Sequence, residues 1–585
     1  MKWIFNDGHP SEATALASQL GITALTARVL SSRGYGDPAA ARRFLAPSAA
    51  DLHDPFLLAD MFIAAERLAR AVRDRESVLL YGDYDVDGTS ALVILKTAIE
   101  LAGGQASCHV PHRILDGYGM KSEVVEEAAA RGVKLIVSVD TGIRANEVVK
   151  HASTLGIDVI VTDHHLPETE LPPALAVLNP NRPDCNYPEK NLCGAAVALK
   201  LAAALLTTLA WDTTRRERTI ESLMKLAAIA TVADVVPLTG ENRAIVKLGL
   251  EGLRNVRNLG LRALLYVAGF AEGVVPSARQ VAFQIAPRIN AAGRMSSARD
   301  VLELFATRDA VRARAIAAQL HDLNTDRQQT EKEIVRAIVE QCTSQPVTDR
   351  DAALVFAAEG WHRGVVGIVA SRVVERFHRP AFVLGIDAGV AYGSGRSIRA
   401  FHLLGALEAM PELFTKFGGH RQAAGVTLDA AHVEEFRERL RSYAATRLTP
   451  VDFEPTLEID AEIALDEVDD RSVAEVLSLA PFGFGNPPPT FVVRSVEVAA
   501  PPDIRKEKHL FLRFRAPGND ARPSILKAKM LRAKAWNFAE RAAEVTSGAR
   551  VDVAIQFEED DYSAARGYDP WQAILRDVRP SGAAP

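Results

Sequence analysis

Between residues 77 and about 236, short apolar runs alternate with stretches of helical periodicity, and this alternation constrains the fold more than any other feature of the chain. The apolar runs are 77–81, 108–110, 134–139, 159–162 and 176–178, and helical stretches such as 90–102 and 124–131 lie between them. Strands that alternate with helices in this way form a mostly parallel sheet with helices on both faces. Ligands of such sheets gather beyond the carboxyl ends of the strands.

Those ends are acidic. The first run continues into Tyr81-Gly82-Asp83-Tyr84-Asp85-Val86-Asp87-Gly88-Thr89. Strand alternation carried through this stretch would project Asp83, Asp85 and Asp87 to one side. Three carboxylates so close raise one another's pKa unless a cation neutralises them, and an oxygen-only cluster suits Mg²⁺ or Mn²⁺. A calcium-binding EF-hand loop starts similarly but requires Glu at its twelfth position, where this chain has Ile94. The third run closes with Asp140-Thr141-Gly142 and the fourth with Asp163-His164-His165. A lone Asp after a strand is commonly a cap or turn residue, and a histidine there can be satisfied by a backbone carbonyl. Asp163, however, is placed to orient an imidazole. Asp234 lies in Ala-Thr-Val-Ala-Asp-Val-Val-Pro, where a buried carboxylate is costly without a partner. Three strand ends and Asp234 converging in one sheet predict a metal site.

A length of 585 residues suggests about four domains. Apolar residues make up 48% and charged residues 24%, as in an ordinary globular protein. Met1-Lys2-Trp3-Ile4-Phe5-Asn6-Asp7 turns polar too soon for a secretory leader, and the apolar stretch 202–211 is too short to span a bilayer, so a cytoplasmic protein is expected. Cys108, Cys185, Cys193 and Cys342 include no close pair, which favours buried thiols over zinc or disulfides. The net charge of −6 averages over an acidic centre, so local patches decide whether nucleic acid binds.

The expected organisation is an N-terminal helical segment (1–70), the acidic α/β domain (71–296), a charged, solvated connector helix (297–345), a second α/β domain (346–450) and a C-terminal β-barrel (451–585). Phe482-Gly483-Phe484-Gly485-Asn486-Pro487-Pro488-Pro489 reads as a boundary before the strands 490–498, 509–514 and 551–557. Gly393-Ser394-Gly395-Arg396 is a glycine-flanked turn whose N–H groups and Arg suit a phosphate. Around 501–540 lie Arg505, Lys506, Lys508, Arg513, Arg515, Arg522, Lys527, Lys529, Arg532 and Lys534, interleaved with Phe511, Phe514 and Trp536. That pattern fits a strand-binding OB-fold, although alternation equally predicts that some of these aromatics are core.

The order Asp-x-Asp-x-Asp, Ser-Val-Asp-Thr-Gly, Asp-His-His and Val-Ala-Asp-Val-Val resembles the DHH phosphoesterase superfamily. The stretches Ala286-Pro287-Arg288-Ile289-Asn290-Ala291-Ala292-Gly293-Arg294-Met295, Gly360-Trp361-His362-Arg363-Gly364-Val365-Val366-Gly367-Ile368 and Phe417-Gly418-Gly419-His420 narrow the resemblance to its RecJ-type single-stranded-DNA exonucleases. The resemblance implies DHH and DHHA1 domains joined by the connector helix, with a terminal OB-fold. It implies that Asp83, Asp85, Asp87, Asp140, His164 and Asp234 hold two Mn²⁺ or Mg²⁺ ions, with Asp140 bridging them. Asp87, Asp140, Asp163 and His165 would form the catalytic group, His165 as a donor to the scissile phosphate. Ser394, Arg396 and Arg113 would grip a terminal 5′-phosphate, and Arg288, Arg294 and His420 the backbone phosphates. Arg505, Lys508, Lys527, Lys529 and Trp536 would hold the strand on the barrel. The implied activity is 5′-to-3′ hydrolysis of single-stranded DNA to 5′-mononucleotides by two-metal activation of water. The implied setting is recombinational and mismatch repair, as a monomer working with single-strand-binding protein and a RecQ-type helicase. The alternatives are a DHH phosphatase or oligoribonuclease acting on short oligonucleotides or pyrophosphate, and a non-catalytic DNA-binding scaffold.

Overall fold

A computed structural model describes residues 1–6, 8–113, 115–517, 530–560 and 569–582. The chain divides into two compact units: residues 53–236 with 248–454, and residues 1–52 with 237–247 and 455–585.

In the first unit a five-stranded, all-parallel sheet runs in the order Gln105–His109, Ser77–Tyr81, Leu135–Val139, Asp158–Thr162, Ala176–Leu178. One face packs Leu79, Ile136, Val159 and Val161 against Val125 and Ala128 of the helix Ser122–Ala130 and Val149 and Ala152 of Asn146–Thr154. The other face carries the helices Val86–Leu101 and Gly194–Thr208, with Thr213–Ala233 packed against both. Gly194–Thr208 is buried on nearly every side, which explains why 202–211 is so apolar; its one cation, Lys200, donates to the carbonyl of His53 at 2.7 Å. No helix of the described residues is long and apolar enough to cross a membrane.

The charged stretch expected as one solvated connector is two helices, Arg299–Ala306 and Ala310–Ser344. They break because Asp309 caps the second helix, its carboxylate accepting from the N–H groups of Val311 and Arg312. Ala313, Ile316, Ala317, Leu320, Ile334 and Ile338 form a buried stripe, so the longer helix is part of the core rather than a free spacer. A second sheet follows, ordered Lys416–Gly419, Ala423–Asp429, Val390–Arg396, Ala381–Asp387, Leu354–Glu359, antiparallel except for the last pair. The helix Val366–Phe377 covers one face, and Leu403–Glu408 with Val433–Ala445 cover the other.

In the second unit the strands Phe491–Val498, Arg550–Glu559, Trp571–Pro580, Met530–Ala535 and His509–Arg515 pair in turn, and the last pairs back to the first. This closes a five-stranded barrel with no free edge among those strands. The N-terminal segment, expected to be purely helical, begins with a strand, Lys2–Phe5, parallel to Thr456–Ile459. Its helices Pro10–Leu20, Ala24–Ser32 and Pro38–Leu45 place Leu16, Leu25, Leu30 and Phe44 in one core with Phe491, Leu510 and Phe514 of the barrel. The helical periodicity is real, but the apolar faces it produces pack against residues more than 400 positions away. The later part of the expected segment, Met61–Arg73, lies instead in the first unit.

Candidate metal centre

The three alternating aspartates converge, but not along a strand. The strand ends at Tyr81; Asp83 follows in the loop, Asp85 caps the helix Val86–Leu101, and Asp87 stands in its first turn. Asp85 accepts from the N–H groups of Asp87 (2.9 Å) and Gly88 (3.1 Å), so the tight turn is its own N-cap. Gly88 is required there, because a Cβ would lie 2.6 Å from the carbonyl oxygen of Asp83. The Asp87 carboxylate accepts from Gly194 N (2.6 Å) and Ala195 N (2.7 Å), the first N–H groups of the helix Gly194–Thr208. At Gly194 a Cβ would meet the side chain of Asp140 at 2.6 Å.

Asp140 ends its strand in a left-handed conformation (φ 57°) and tethers to the next strand through its N–H and the Thr162 carbonyl, 2.9 Å. Asp163, with no exposed surface, accepts from the N–H groups of Ile143, His164 and His165 and from His165 Nδ1 at 2.7 Å. Asp234 caps the C-terminus of Thr213–Ala233. His164 Nε2 stands among three carboxylates, 3.2 Å from Asp140, 3.7 Å from Asp87 and 3.7 Å from Asp234. Three groups therefore offer ligand atoms within reach of a common ion: Asp83, Asp85 and Asp140; Asp87, His164 and Asp234; and Asp140, His164 and His165. Asp140 and His164 are each shared by two groups.

Electrostatics favour cations here. Burial, then mutual repulsion, holds Asp83, Asp140 and Asp234 well above the usual carboxylate range; Asp87 is also raised, first by burial. Burial lowers His164. Burial would lower His165 too, but the hydrogen bond and charge of Asp163 outweigh it and raise the imidazole. Asp163 itself is held below the usual range, because His165 and backbone N–H groups outweigh its burial. Asp83 Oδ1 and Asp140 Oδ1 are buried acceptors without a hydrogen bond. Orphaned carboxylate oxygens beside an imidazole nitrogen fit a hard or borderline divalent cation.

A cationic wall lies in the same unit. Arg294 donates to the Gly364 carbonyl at 3.0 Å and is pushed down to about 9 by burial and then by Arg113. Arg396 donates to Ser394 Oγ (3.0 Å) and the Gly395 carbonyl (2.8 Å), and burial followed by Arg113 lowers it also. Arg113 lies over the Tyr84 ring, 4.7 Å from its centroid. A Cβ on Gly367 would touch Ser394 Oγ at 3.0 Å, so the first turn of Val366–Phe377 abuts this pair. None of the three arginines forms an ion pair among the described residues. Guanidiniums without carboxylate partners, a hydroxyl and a helix N-terminus are groups that suit an anion. Arg294 thus groups with Arg113 and Arg396, whereas Arg288 is tied to His321 Nδ1 (3.2 Å) and the Gln284 carbonyl. His420 is lowered by burial and then by the charges of Arg144 and His165.

On the barrel, Phe514 is fully buried core, whereas Phe511 lines a groove of about 570 Å³ with Arg505, Arg513, Arg532 and Lys534. Arg505 lies 4.4 Å from the Phe511 centroid and pairs with Asp503. Trp536, 45% exposed, meets His509 edge-on, and Lys508 is exposed. Lys527, Lys529 and Arg522 fall outside the described residues. Sequence reasoning missed Tyr118, whose hydroxyl lies 3.3 Å from both the Asp140 carbonyl and His165 Nδ1. It missed Asn179 and Asn181, which donate to the carbonyls of His165 and His164, and Asn290, which accepts from Val86 N. Asn179-Pro180-Asn181 directly follows the last strand of the parallel sheet, a position where the strand-end rule could have found it.

Comparison with known proteins gives three domain matches: DHH family, N-terminal domain, over residues 77–231; DHHA1 domain over 350–446; and RecJ OB domain over 459–576. The chain is 40% identical over 510 residues to the single-stranded-DNA-specific exonuclease RecJ of Bacillus subtilis, covering 86% of this chain and 63% of that one. It is 38% identical to RecJ of Dickeya dadantii (82% and 85% covered) and 39% identical to that of Escherichia coli (73% and 76%). The crystal structure of Thermus thermophilus RecJ in complex with Mn²⁺ matches with a TM-score of 0.83 at 30% identity, covering all of this chain and 80% of that one. The Mg²⁺ complex of the same protein matches with a TM-score of 0.76 at 28% identity.

Proposed function

We propose that this chain, which belongs to the RecJ family of single-stranded-DNA-specific exonucleases, hydrolyses single-stranded DNA from its 5′ end to 5′-mononucleotides. The observation that carries the reading is the pairing, in one unit, of interlocked ligand groups around His164 with the unpaired arginines 113, 294 and 396. Asp83, Asp85, Asp87, Asp140, His164 and Asp234 would hold the cations, two Mn²⁺ or Mg²⁺ ions. Bound there, such ions supply Lewis acidity that activates water and neutralises charge growing on the phosphate.

The side chains do the rest. Asp163 orients His165 through the 2.7 Å bond to Nδ1 and favours its protonated form, which leaves Nε2 to donate to a phosphate oxygen as charge develops. Arg113, Arg294, Arg396 and Ser394 receive the terminal 5′-phosphate, and His420 approaches the next phosphate near His165. Fixing the terminal phosphate sets both polarity and product, since the scissile bond then lies one nucleotide away. The barrel groove around Phe511 guides the single strand by stacking and charge, with Arg505, Lys508 and Trp536 at its margin. In the cell this activity belongs to cytoplasmic recombinational and mismatch repair, with single-strand-binding protein and a RecQ-type helicase supplying the strand.

The test is incubation with Mn²⁺ and end-labelled single strands blocked at the 5′ or the 3′ end. Mononucleotide release stopped only by the 5′ block supports the proposal. Turnover restricted to dinucleotides or pyrophosphate refutes it.

A further inference from the structure

Tyr118 stands in the loop between the strand Gln105–His109 and the helix Ser122–Ala130, flanked by Gly117 (φ 75°) and Gly119 (φ 98°). Those two left-handed positions reverse the chain on either side of it, and a side chain at either would be strained. The reversal is pinned before and after Tyr118. Asp116 N and Gly117 N donate to the His112 carbonyl at 2.8 and 3.3 Å, and the buried Tyr81 hydroxyl donates to the Gly119 carbonyl at 3.2 Å. The main chain thus holds Tyr118 in place, while its side chain reaches the candidate metal centre with the residue 49% exposed.

The Tyr118 hydroxyl lies 3.3 Å from the Asp140 carbonyl and 3.3 Å from His165 Nδ1. A phenol has one hydrogen to give and a carbonyl can only accept, so the hydroxyl donates to Asp140 and turns its oxygen toward Nδ1. Nδ1 gives its own hydrogen to Asp163 at 2.7 Å. The phenol oxygen is therefore a second, weaker acceptor at the same nitrogen. The two rings also meet edge to face, their centroids 5.7 Å apart at 64°.

His165 needs such a partner. Its side chain is 34% exposed, against 13% for His164, so burial does not fix it. The bond to Asp163 holds one point of the imidazole, and rotation of a ring about χ2 is soft. A second contact at Nδ1 and a ring packed on its edge remove that freedom. Through the Asp140 carbonyl, the same hydroxyl refers the imidazole to the strand end that carries a proposed cation ligand.

We infer that Tyr118 is a positioning residue for cleavage: it keeps the His165 imidazole in register with Asp140, so that Nε2 faces the phosphate. Tyr118 itself transfers no proton. The inference rests on the proposed donor role of His165, and the test separates the two.

Single-turnover cleavage of end-labelled single strands is measured at saturating Mn²⁺ for the wild type, Tyr118→Phe, Tyr118→Leu and His165→Gln, and for each Tyr118 variant combined with His165→Gln. Loss of register predicts a cleavage step about 10–100-fold slower in Tyr118→Leu, with half-saturation by the strand unchanged. Tyr118→Phe, which removes only the hydroxyl, should be about 3–10-fold slower. On the His165→Gln background both losses should vanish, because no imidazole remains to be positioned. Losses that persist there overturn the inference and leave the donor role standing. An unslowed Tyr118→Leu does the same, as does a change confined to half-saturation, which marks strand contact instead. A full rate in His165→Gln overturns the donor role and the inference with it. If Tyr118→Leu does not fold, Tyr118→Phe in the two backgrounds decides, because it keeps the ring.

Discussion

Replacing Asp163 by Asn tests the proposed chemistry at a residue in none of the three ligand groups. The carboxylate accepts four hydrogen bonds: from His164 N (2.8 Å), His165 N (3.1 Å) and His165 Nδ1 (2.7 Å) on one oxygen, and from Ile143 N (3.0 Å) on the other. An amide turned to keep its oxygen on the three-donor side places an NH₂ against the Ile143 N–H. One buried donor is then orphaned, at about 1–3 kcal/mol of stability. The charge-assisted bond to His165 also loses its charge, about 1.5–3 kcal/mol in favour of the imidazolium. At about 1.4 kcal/mol per pKa unit this lowers the imidazole by roughly one to two units, against a burial that only the charges of Asp87 and Asp85 then oppose. A protonated donor is lost as pH rises through its pKa, so the alkaline limb of kcat/KM should move down by roughly one to two units. The rate at pH 8 should fall about 10²-fold, within the range for a positioned proton donor. The assay is single-turnover release of mononucleotide across pH at saturating Mn²⁺, with calorimetry to show that Mn²⁺ affinity is retained. An unshifted alkaline limb would refute the Asp163–His165 assignment, as would a full rate in His165→Gln.

Three further outcomes are expected. Because Asp83, Asp140 and Asp234 are raised in the fold, the metal-free folded state binds more protons than the unfolded chain. Its stability therefore falls as pH rises from about 4 toward the elevated values. Mn²⁺ replaces those protons, so its gain in melting temperature should be larger at pH 8 than at pH 5.5; an equal gain argues against these ligands. Arg396→Ala should raise KM about 10–100-fold for 5′-phosphorylated strands, the loss of one charged contact, while 5′-hydroxyl strands are unaffected; equal effects on both remove the role assigned to Arg396. On the barrel, Phe511→Ala should weaken single-strand affinity by about 1–3 kcal/mol without changing the melt, whereas Phe514→Ala should cost about 3–5 kcal/mol of stability; titration and thermal unfolding distinguish them.

The strand ends were legible because burial writes itself locally: Leu135 to Val139 can be little else than a buried strand, and the Asp that follows breaks the run. The reason given for the convergence of Asp83, Asp85 and Asp87 did not hold, since an N-cap and a helical turn do what strand alternation was expected to do. Tyr118 was invisible because its hydroxyl meets Asp140 and His165 only after the loop folds back over the sheet. Arg294 could be recognised as basic, but its company with Arg113 and Arg396 depends on the packing of three separated segments. The pairing of Lys2–Phe5 with Thr456–Ile459 left no trace in either segment, because register between distant strands is chosen by the core they share and not by their own composition.

That pairing has a consequence for synthesis. The first 52 residues bury their apolar faces against residues beyond 455. At about 5–20 residues per second a ribosome needs roughly 20–90 s to make the intervening chain. Through that interval Leu16, Leu25, Leu30 and Phe44 have emerged while their barrel partners do not yet exist. The unit with the candidate metal centre, whose proposed ligands end at Asp234, can form in the meantime. The amino-terminal helices, first to be made, are among the last to find their place.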